Sequence, residues 1–143
     1  MAQPNHPTNS EFTTAMLIDS LHHVAIICSD YERSRQFYTA VLGFSIIRET
    51  YRAERRSYKL DLRVNDVTAI ELFSFPDPPP RPSRPEAQGL RHLAFAVVDL
   101  DQTVAELQAR GIELEPIRLD ELTQKRFVFF QDPDGLPLEL YER

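Results

Sequence analysis

Two histidines and two glutamates recur at matching places along this chain. His23 is followed 48 residues later by Glu71, and His92 is followed 47 residues later by Glu139. Taken singly, each has an ordinary explanation, since a strand glutamate usually faces solvent and a strand histidine usually sits hydrogen-bonded in a core. Their repetition argues for chemistry. Two carboxylates buried together without a counter-charge are costly, and a divalent cation removes that cost. Two neutral imidazoles and two carboxylates around such an ion make a neutral site. Its nitrogen and oxygen donors suit Ni, Co, Zn, Mn or Fe, and suit Cu(I) or an iron–sulfur cluster less.

The elements that must carry these residues are also repeated. "HHVAIIC" is β-branched and apolar, and "DYERSRQFYTAVLG" follows with Phe37, Tyr38, Val41 and Leu42 at helical spacing and Gly43 as a stop. "FSIIRETY", the alternating "SYKLDLRV" and "TAIELFSF" read as three further strands. After residue 89 the order returns: "RHLAFAVV" as a strand, "DLDQTVAELQARG" as a helix, then "IELEPIRL", "KRFVFF" and "LPLELYE" as strands. Asp30 and Asp99 each lie 7 residues after their histidine, and Gly43 and Gly111 lie 20 and 19 after it. The fold class expected is therefore α+β, built from two tandem βαβββ modules.

Four segments are expected: a flexible tail over 1–17, a first module over 18–75, a linker over 76–89, and a second module over 90–143. The linker "PDPPPRPSRPEAQG" holds six prolines and can form neither a helix nor an interior strand. At ~3.1 Å per residue it spans on the order of 40 Å, enough to cross a sheet or reach another subunit. "DPDG" before the last strand reads as a turn.

Alternation along a strand decides which residues share a face. His23 faces with Ala25 and Ile27, Glu71 with Ala69 and Phe73, His92 with Ala94 and Ala96, and Glu139 with Pro137 and Tyr141. Small neighbours leave room for a ligand. His22 falls on the other parity and has no counterpart in the second module, where Arg91 stands, so it reads as a bystander. Cys28 shares that parity and reads as a small core residue.

Composition narrows the function classes. The chain is 42% hydrophobic and 27% charged, the balance of a soluble globular protein. Its net charge of −6 with dispersed basic residues gives no footprint for nucleic acid. No apolar run approaches the roughly 18 residues of a membrane span, and the N-terminal stretch lacks the layout of a signal peptide. A single cysteine makes no internal disulfide, in keeping with a reducing compartment. A cytoplasmic protein with a small-molecule substrate, and neither nucleic acid nor membrane as partner, is expected.

Two βαβββ modules with His on the first and Glu on the last strand of each, ending in "DPDGLPLELYE", resemble the glyoxalase I-like, vicinal oxygen chelate superfamily over about residues 20–143. "ELFSFPDPPPRPSRPEAQGLRHLAF" and "TQKRFVFFQDPDGLPLELYE" are similar to a group of small bacterial proteins of lactoylglutathione lyase type. The resemblance implies curved sheets that form a cup around a metal held by His23, Glu71, His92 and Glu139. It implies a lyase or isomerase that stabilises an enediolate at the metal, with Glu139, and Glu71 beside it, as the catalytic base. A homodimer is the usual arrangement by this resemblance, with modules paired within a chain or exchanged between chains.

The substrate side departs from the family pattern. Glyoxalase I enzymes of the well-known bacterial type carry an Arg four after the first His, an Asn four after the first Glu and a basic residue two before the last Glu. Ile27, Phe75 and Pro137 stand there. Arg52, Arg56, Arg81 and Arg84 are candidates to bind an anionic group of the substrate instead, against the alternative that they only solvate exposed loops. Other members of the superfamily frame the alternatives. Extradiol dioxygenases and antibiotic thiol transferases use two His and one Glu, acyl-CoA epimerases resemble His, Gln, His, Glu, and drug-sequestering proteins generally lack the metal set. Glu71 as a fourth ligand counts against the first three.

Overall fold

The computed structural model describes residues 15–143; most of the tail expected over 1–17 lies outside the described residues. Residues 15–22 have no regular structure. The first module comprises β1 (His23–Cys28), α1 (Tyr31–Gln36), which continues through a wide π turn over Phe37–Val41, β2 (Ser45–Arg52), β3 (Ser57–Arg63) and β4 (Ala69–Ser74). The second comprises β5 (Leu93–Val97), α2 (Leu100–Ala109), β6 (Arg118–Asp120), β7 (Lys125–Gln131) and β8 (Pro137–Glu142).

The repeated aspartates and glycines delimit the helices. Asp30 and Asp99 are the N-caps, their carboxylates accepting from the backbone N–H groups of Arg33 (3.2 Å) and Gln102 (3.0 Å). Gly43 and Gly111 follow the helices at φ +81° and +84°, values that favour glycine.

Each module forms a four-stranded mixed sheet, ordered β1-β4-β3-β2 and β5-β8-β7-β6. The first and last strands of each module pair in parallel, and the remaining pairs are antiparallel. β1 and β5 are therefore edge strands. The expected strand over 112–119 shrinks to Arg118–Asp120. Pro116 interrupts it, having no N–H to donate, and the preceding stretch keeps one bond to the sheet, from Glu115 N–H to the Phe129 carbonyl at 2.9 Å.

Both sheets turn their apolar faces into one shared core. Leu60, Leu62, Ile70 and Leu72 of the first and Val128, Phe130, Leu138 and Leu140 of the second belong to one buried cluster with Tyr38, Leu100 and Leu107. Each fully buried Leu or Ile contributes roughly 1.5–3 kcal/mol. The DPDG turn fastens the modules together. Asp132 accepts from the Tyr38 hydroxyl at 2.7 Å and from the N–H groups of Asp134 and Leu136 (both 2.9 Å), while Asp134 accepts from Ser29 N–H at 3.0 Å. This turn leads directly into β8 and sets where Glu139 stands. Since the core consumes one face of each sheet, the other face of each is left open.

Candidate metal centre

The open faces carry the repeated residues. In β1 and β4 the register pairs His23 with Ala69, Ala25 with Glu71 and Ile27 with Phe73, while Ile26 and Leu72 turn to the core. In β5 and β8, Ala94 pairs with Glu139 and Ala96 with Tyr141. The parity expected from sequence is the parity observed. Parallel pairing of first and last strands brings each histidine to its own glutamate: His23 Nε2 lies 2.8 Å from Glu71 Oε2, and His92 Nε2 lies 2.9 Å from Glu139 Oε2.

These distances fit metal ligation. Two neighbouring donors at ~2.1 Å from one ion and at right angles to each other lie about 3 Å apart, so each pair already has the spacing of two adjacent ligands. The carboxylates are the more sheltered members, with side chains 13% and 10% exposed against 42% and 27% for the histidines. The four do not gather within one chain. Among the described residues there is no group of three or more His, Cys, Asp or Glu side chains placed to share an ion. Each open face carries one His–Glu pair.

His22, read from sequence as a bystander on the opposite face, instead touches the first pair. Its Nδ1 lies 2.9 Å from His23 Nδ1. When His23 Nε2 donates to Glu71, His23 Nδ1 accepts from His22; when Nε2 offers its lone pair to an ion, the direction reverses. A second hydrogen bond of this kind is what orients a ligating imidazole. In the second module His92 is held differently, edge-on to the Phe129 ring with centroids 5.1 Å apart.

Lys59, which from sequence is one of the basic residues of "RETYRAERRSYK" able to meet an anionic substrate group, instead stands beside Glu71, together with Asp61. Lys59 Nζ lies 3.0 Å from Glu71 Oε1 and 3.4 Å from Asp61 Oδ1. Hydrogen bonding to Glu71 raises the Lys59 ammonium above its ordinary value, so it stays charged. The signal was present in "SYKLDLRV": the alternation that buries Leu60 and Leu62 puts Lys59 and Asp61 on the other face, beside Glu71.

The arginine candidates divide. Arg52 lies on the open face of the first module, its guanidinium 4.8 Å from the Phe73 ring centroid and 5.6 Å from that of Phe75. Arg56 sits in the exposed hairpin at φ +47°. Arg81 is occupied, donating to the carbonyls of Leu90 (2.6 Å) and Arg91 (3.0 Å) and so fixing the linker just before His92. Arg84 lines an open cleft of about 870 Å³ between the linker and the second face, together with His92, Phe129 and an unanticipated Arg118. Cys28 is buried, donates to the Phe73 carbonyl at 3.3 Å, and has its thiol pushed up to about 11 by that burial. It is a core residue and no nucleophile.

Comparison with known proteins agrees with this architecture. Residues 20–140 match the family model described as the glyoxalase/bleomycin resistance protein/dioxygenase superfamily. The uncharacterized protein YwkD of Bacillus subtilis is 67% identical over 90% of this chain and 100% of its own length. A crystal structure of a glyoxalase family protein from Enterococcus faecalis is 48% identical, with a TM-score of 0.83 over 89% of this chain and 100% of that one. More distant relatives carry activity names: a 2-epi-5-epi-valiolone epimerase of Actinomyces sp at 29% identity (85% of this chain, 78% of that protein) and glyoxylase I 4 of Arabidopsis thaliana at 28% (86% and 70%).

Proposed function

We propose that this chain, which belongs to the glyoxalase/bleomycin resistance protein/dioxygenase superfamily, is a metal-dependent lyase or isomerase of glyoxalase I type acting on a small substrate with vicinal oxygens. The observation that carries this reading is the duplicated His–Glu pair, at 2.8 and 2.9 Å on two open faces. His23, Glu71, His92 and Glu139 would hold the ion. When bound, a divalent ion supplies Lewis acidity that draws negative charge onto two adjacent substrate oxygens.

The protein's own groups then divide the work. Lys59 holds Glu71 from the side away from His23 and fixes it as a ligand. Glu139 has His92 and, among the described residues, no cation against it, and at 8% exposure is the more enclosed carboxylate. It is the base that takes a proton from one substrate carbon and returns it to the neighbouring carbon. An epimerase returning the proton to the opposite face of one carbon needs a second free base, and Glu71, clamped by Lys59, does not supply it.

Completion of the site requires a second chain in this reading. The core of one chain uses up the inner faces of both sheets and leaves each ligand pair outward, with Ile27 at 56% exposure beside His23. A homodimer in which the first face of one chain meets the second face of its partner brings four ligands together twice, by two-fold symmetry.

The test is deuterium incorporation from D₂O, followed by NMR, with protein stripped and reloaded with Ni, Co, Zn, Mn or Fe. The substrates offered are the methylglyoxal–glutathione hemithioacetal and a set of small 2-hydroxy and 2-oxo acids. Metal-dependent exchange lost in Glu139→Gln is expected. Stoichiometric metal with no exchange on any of them would remove the lyase reading, and absence of metal binding would leave a sequestering protein.

A further inference from the structure

Each ligand pair has an arginine laid over two phenylalanine rings on its own face. In the first module the Arg52 guanidinium covers Phe73 and Phe75 at 4.8 and 5.6 Å, and Phe73 is the next residue after Glu71 on that face of β4. In the second, the Arg118 guanidinium covers Phe127 and Phe129 at 5.1 and 5.4 Å, and Phe129 is the cross-strand partner of Glu139. The duplication alone does not account for this. Arg118 pairs with Phe127 as Thr50 pairs with Lys59, so its counterpart in the first module is Thr50, and Arg52 is one face-step further along β2. Two different backbone positions deliver the same arrangement.

Neither arginine is neutralised as a structural arginine would be. Arg52 donates from Nη2 to Ser57 Oγ at 2.7 Å, its buried Nε has no partner, and it joins no ion pair among the described residues. Among the described residues Arg118 has only Glu115 at 3.6 Å, with both side chains more than half exposed, a contact of little energetic weight. Arg126, by contrast, is fully engaged by Asp101 and Glu142, both at 2.8 Å. A guanidinium stacked on aromatic rings keeps its N–H edge free and aimed, which is how arginine presents itself to a carboxylate or phosphate.

We infer that the substrate is a compact oxyanion, a small acid whose vicinal oxygens go to the metal and whose carboxylate or phosphate is gripped by Arg52 of one chain and Arg118 of its partner in the proposed dimer. This rests on the proposed function for the placement of the vicinal oxygens and for the dimer that brings the two arginines together, while each arginine's readiness to take an anion stands on its own surroundings. Residues two apart on one strand face are about 7 Å apart, so the anionic group lies one or two carbons from the chelated oxygens. An extended tripeptide adduct does not match that spacing.

Isothermal titration of the metal-loaded and metal-stripped full chain separates the possibilities. The probes are malate, 2-phosphoglycolate, neutral hydroxyacetone and S-methylglutathione, run against wild type, Arg52→Gln and Arg118→Gln, with a parallel titration of Zn²⁺ into stripped protein. Tighter binding of either small acid than of hydroxyacetone, weakened about tenfold or more in each arginine variant with unchanged Zn²⁺ affinity, is the expected result. Preference for malate or for 2-phosphoglycolate identifies the anion. Acid binding untouched by both variants, no preference for the acids over hydroxyacetone, or tighter binding of S-methylglutathione overturns the inference. Loss of acid binding in the variants of a protein that takes up no Zn²⁺ supports the anion grip and counts against the metalloenzyme reading alone.

Discussion

The two ligand faces share a backbone plan and differ in what surrounds the carboxylate. Glu71 lies between two nitrogens, His23 Nε2 at 2.8 Å and Lys59 Nζ at 3.0 Å. Among the described residues Glu139 meets His92 alone, and the register puts Phe127 and Phe129 where the first module has Lys59 and Asp61. The histidines differ likewise, His23 tied to His22 and His92 leaning edge-on against Phe129. A charged, cross-linked half suits holding an ion, and an aromatic half with an untethered carboxylate suits moving a proton. In the proposed function, the repeated pairs would be the ligands and their different surroundings would separate their tasks.

The sharpest way to break that division is to remove one carboxylate's charge at a time. Glu139→Gln should lower turnover by about 100-fold or more with modest loss of metal, whereas Glu71→Gln should lower metal affinity first. Equal behaviour of the two variants in rate and metal titrations would erase the distinction. Next in size, Lys59→Met frees Glu71 and should weaken metal binding by roughly 10- to 100-fold, the usual penalty for losing a group that orients a ligand. The matching change of Phe127→Leu in the second module should leave metal affinity within a small factor of wild type.

A third comparison concerns the joint between modules. Tyr38→Phe leaves the Asp132 carboxylate, 6% exposed, without its hydroxyl partner. The expected cost is about 1–3 kcal/mol in urea unfolding. A single shared core predicts that both modules then still unfold together; two separate transitions would show that the modules are independent. The smallest effect belongs to the second module's surface. Arg126 holds the Asp101 and Glu142 carboxyls below the ordinary carboxylate range through direct hydrogen bonds. Groups depressed in this way stabilise the fold above their unfolded values and lose that contribution as pH falls through the folded ones. Wild type should therefore melt slightly above Arg126→Met at neutral pH, and the gap should close in acid.

Much of this is legible in the sequence alone. The apolar alternation of "TAIELFSF" and "LPLELYE" put Glu71 and Glu139 on the open faces, because a period of 2 leaves no other choice once Leu72, Leu138 and Leu140 go inside. The repeated aspartates and glycines marked the helix ends. What escaped depended on which strand lies beside which. Lys59 becomes part of the centre only because β3 pairs with β4, and Arg118 was lost inside an overlong strand that Pro116 prevents. His22 was assigned to the opposite face by parity alone, yet it lies at the start of an edge strand, where its ring can turn back to His23. Arg81, a substrate candidate in sequence, lines the cleft beside His92 while also donating to the Leu90 and Arg91 carbonyls, a second engagement that composition cannot reveal.

In the proposed dimer a complete centre joins the first face of one chain to the second face of another. A mixed dimer tests it directly, pairing a His23→Ala/Glu71→Gln chain with a His92→Ala/Glu139→Gln chain through different affinity tags and measuring bound metal by elemental analysis. Shared sites predict that the mixed dimer regains one intact centre and half the metal of wild type, while each doubly substituted homodimer binds next to none. If the mixed dimer binds no more metal than the two homodimers, the ligands are not contributed by two chains and the account is wrong.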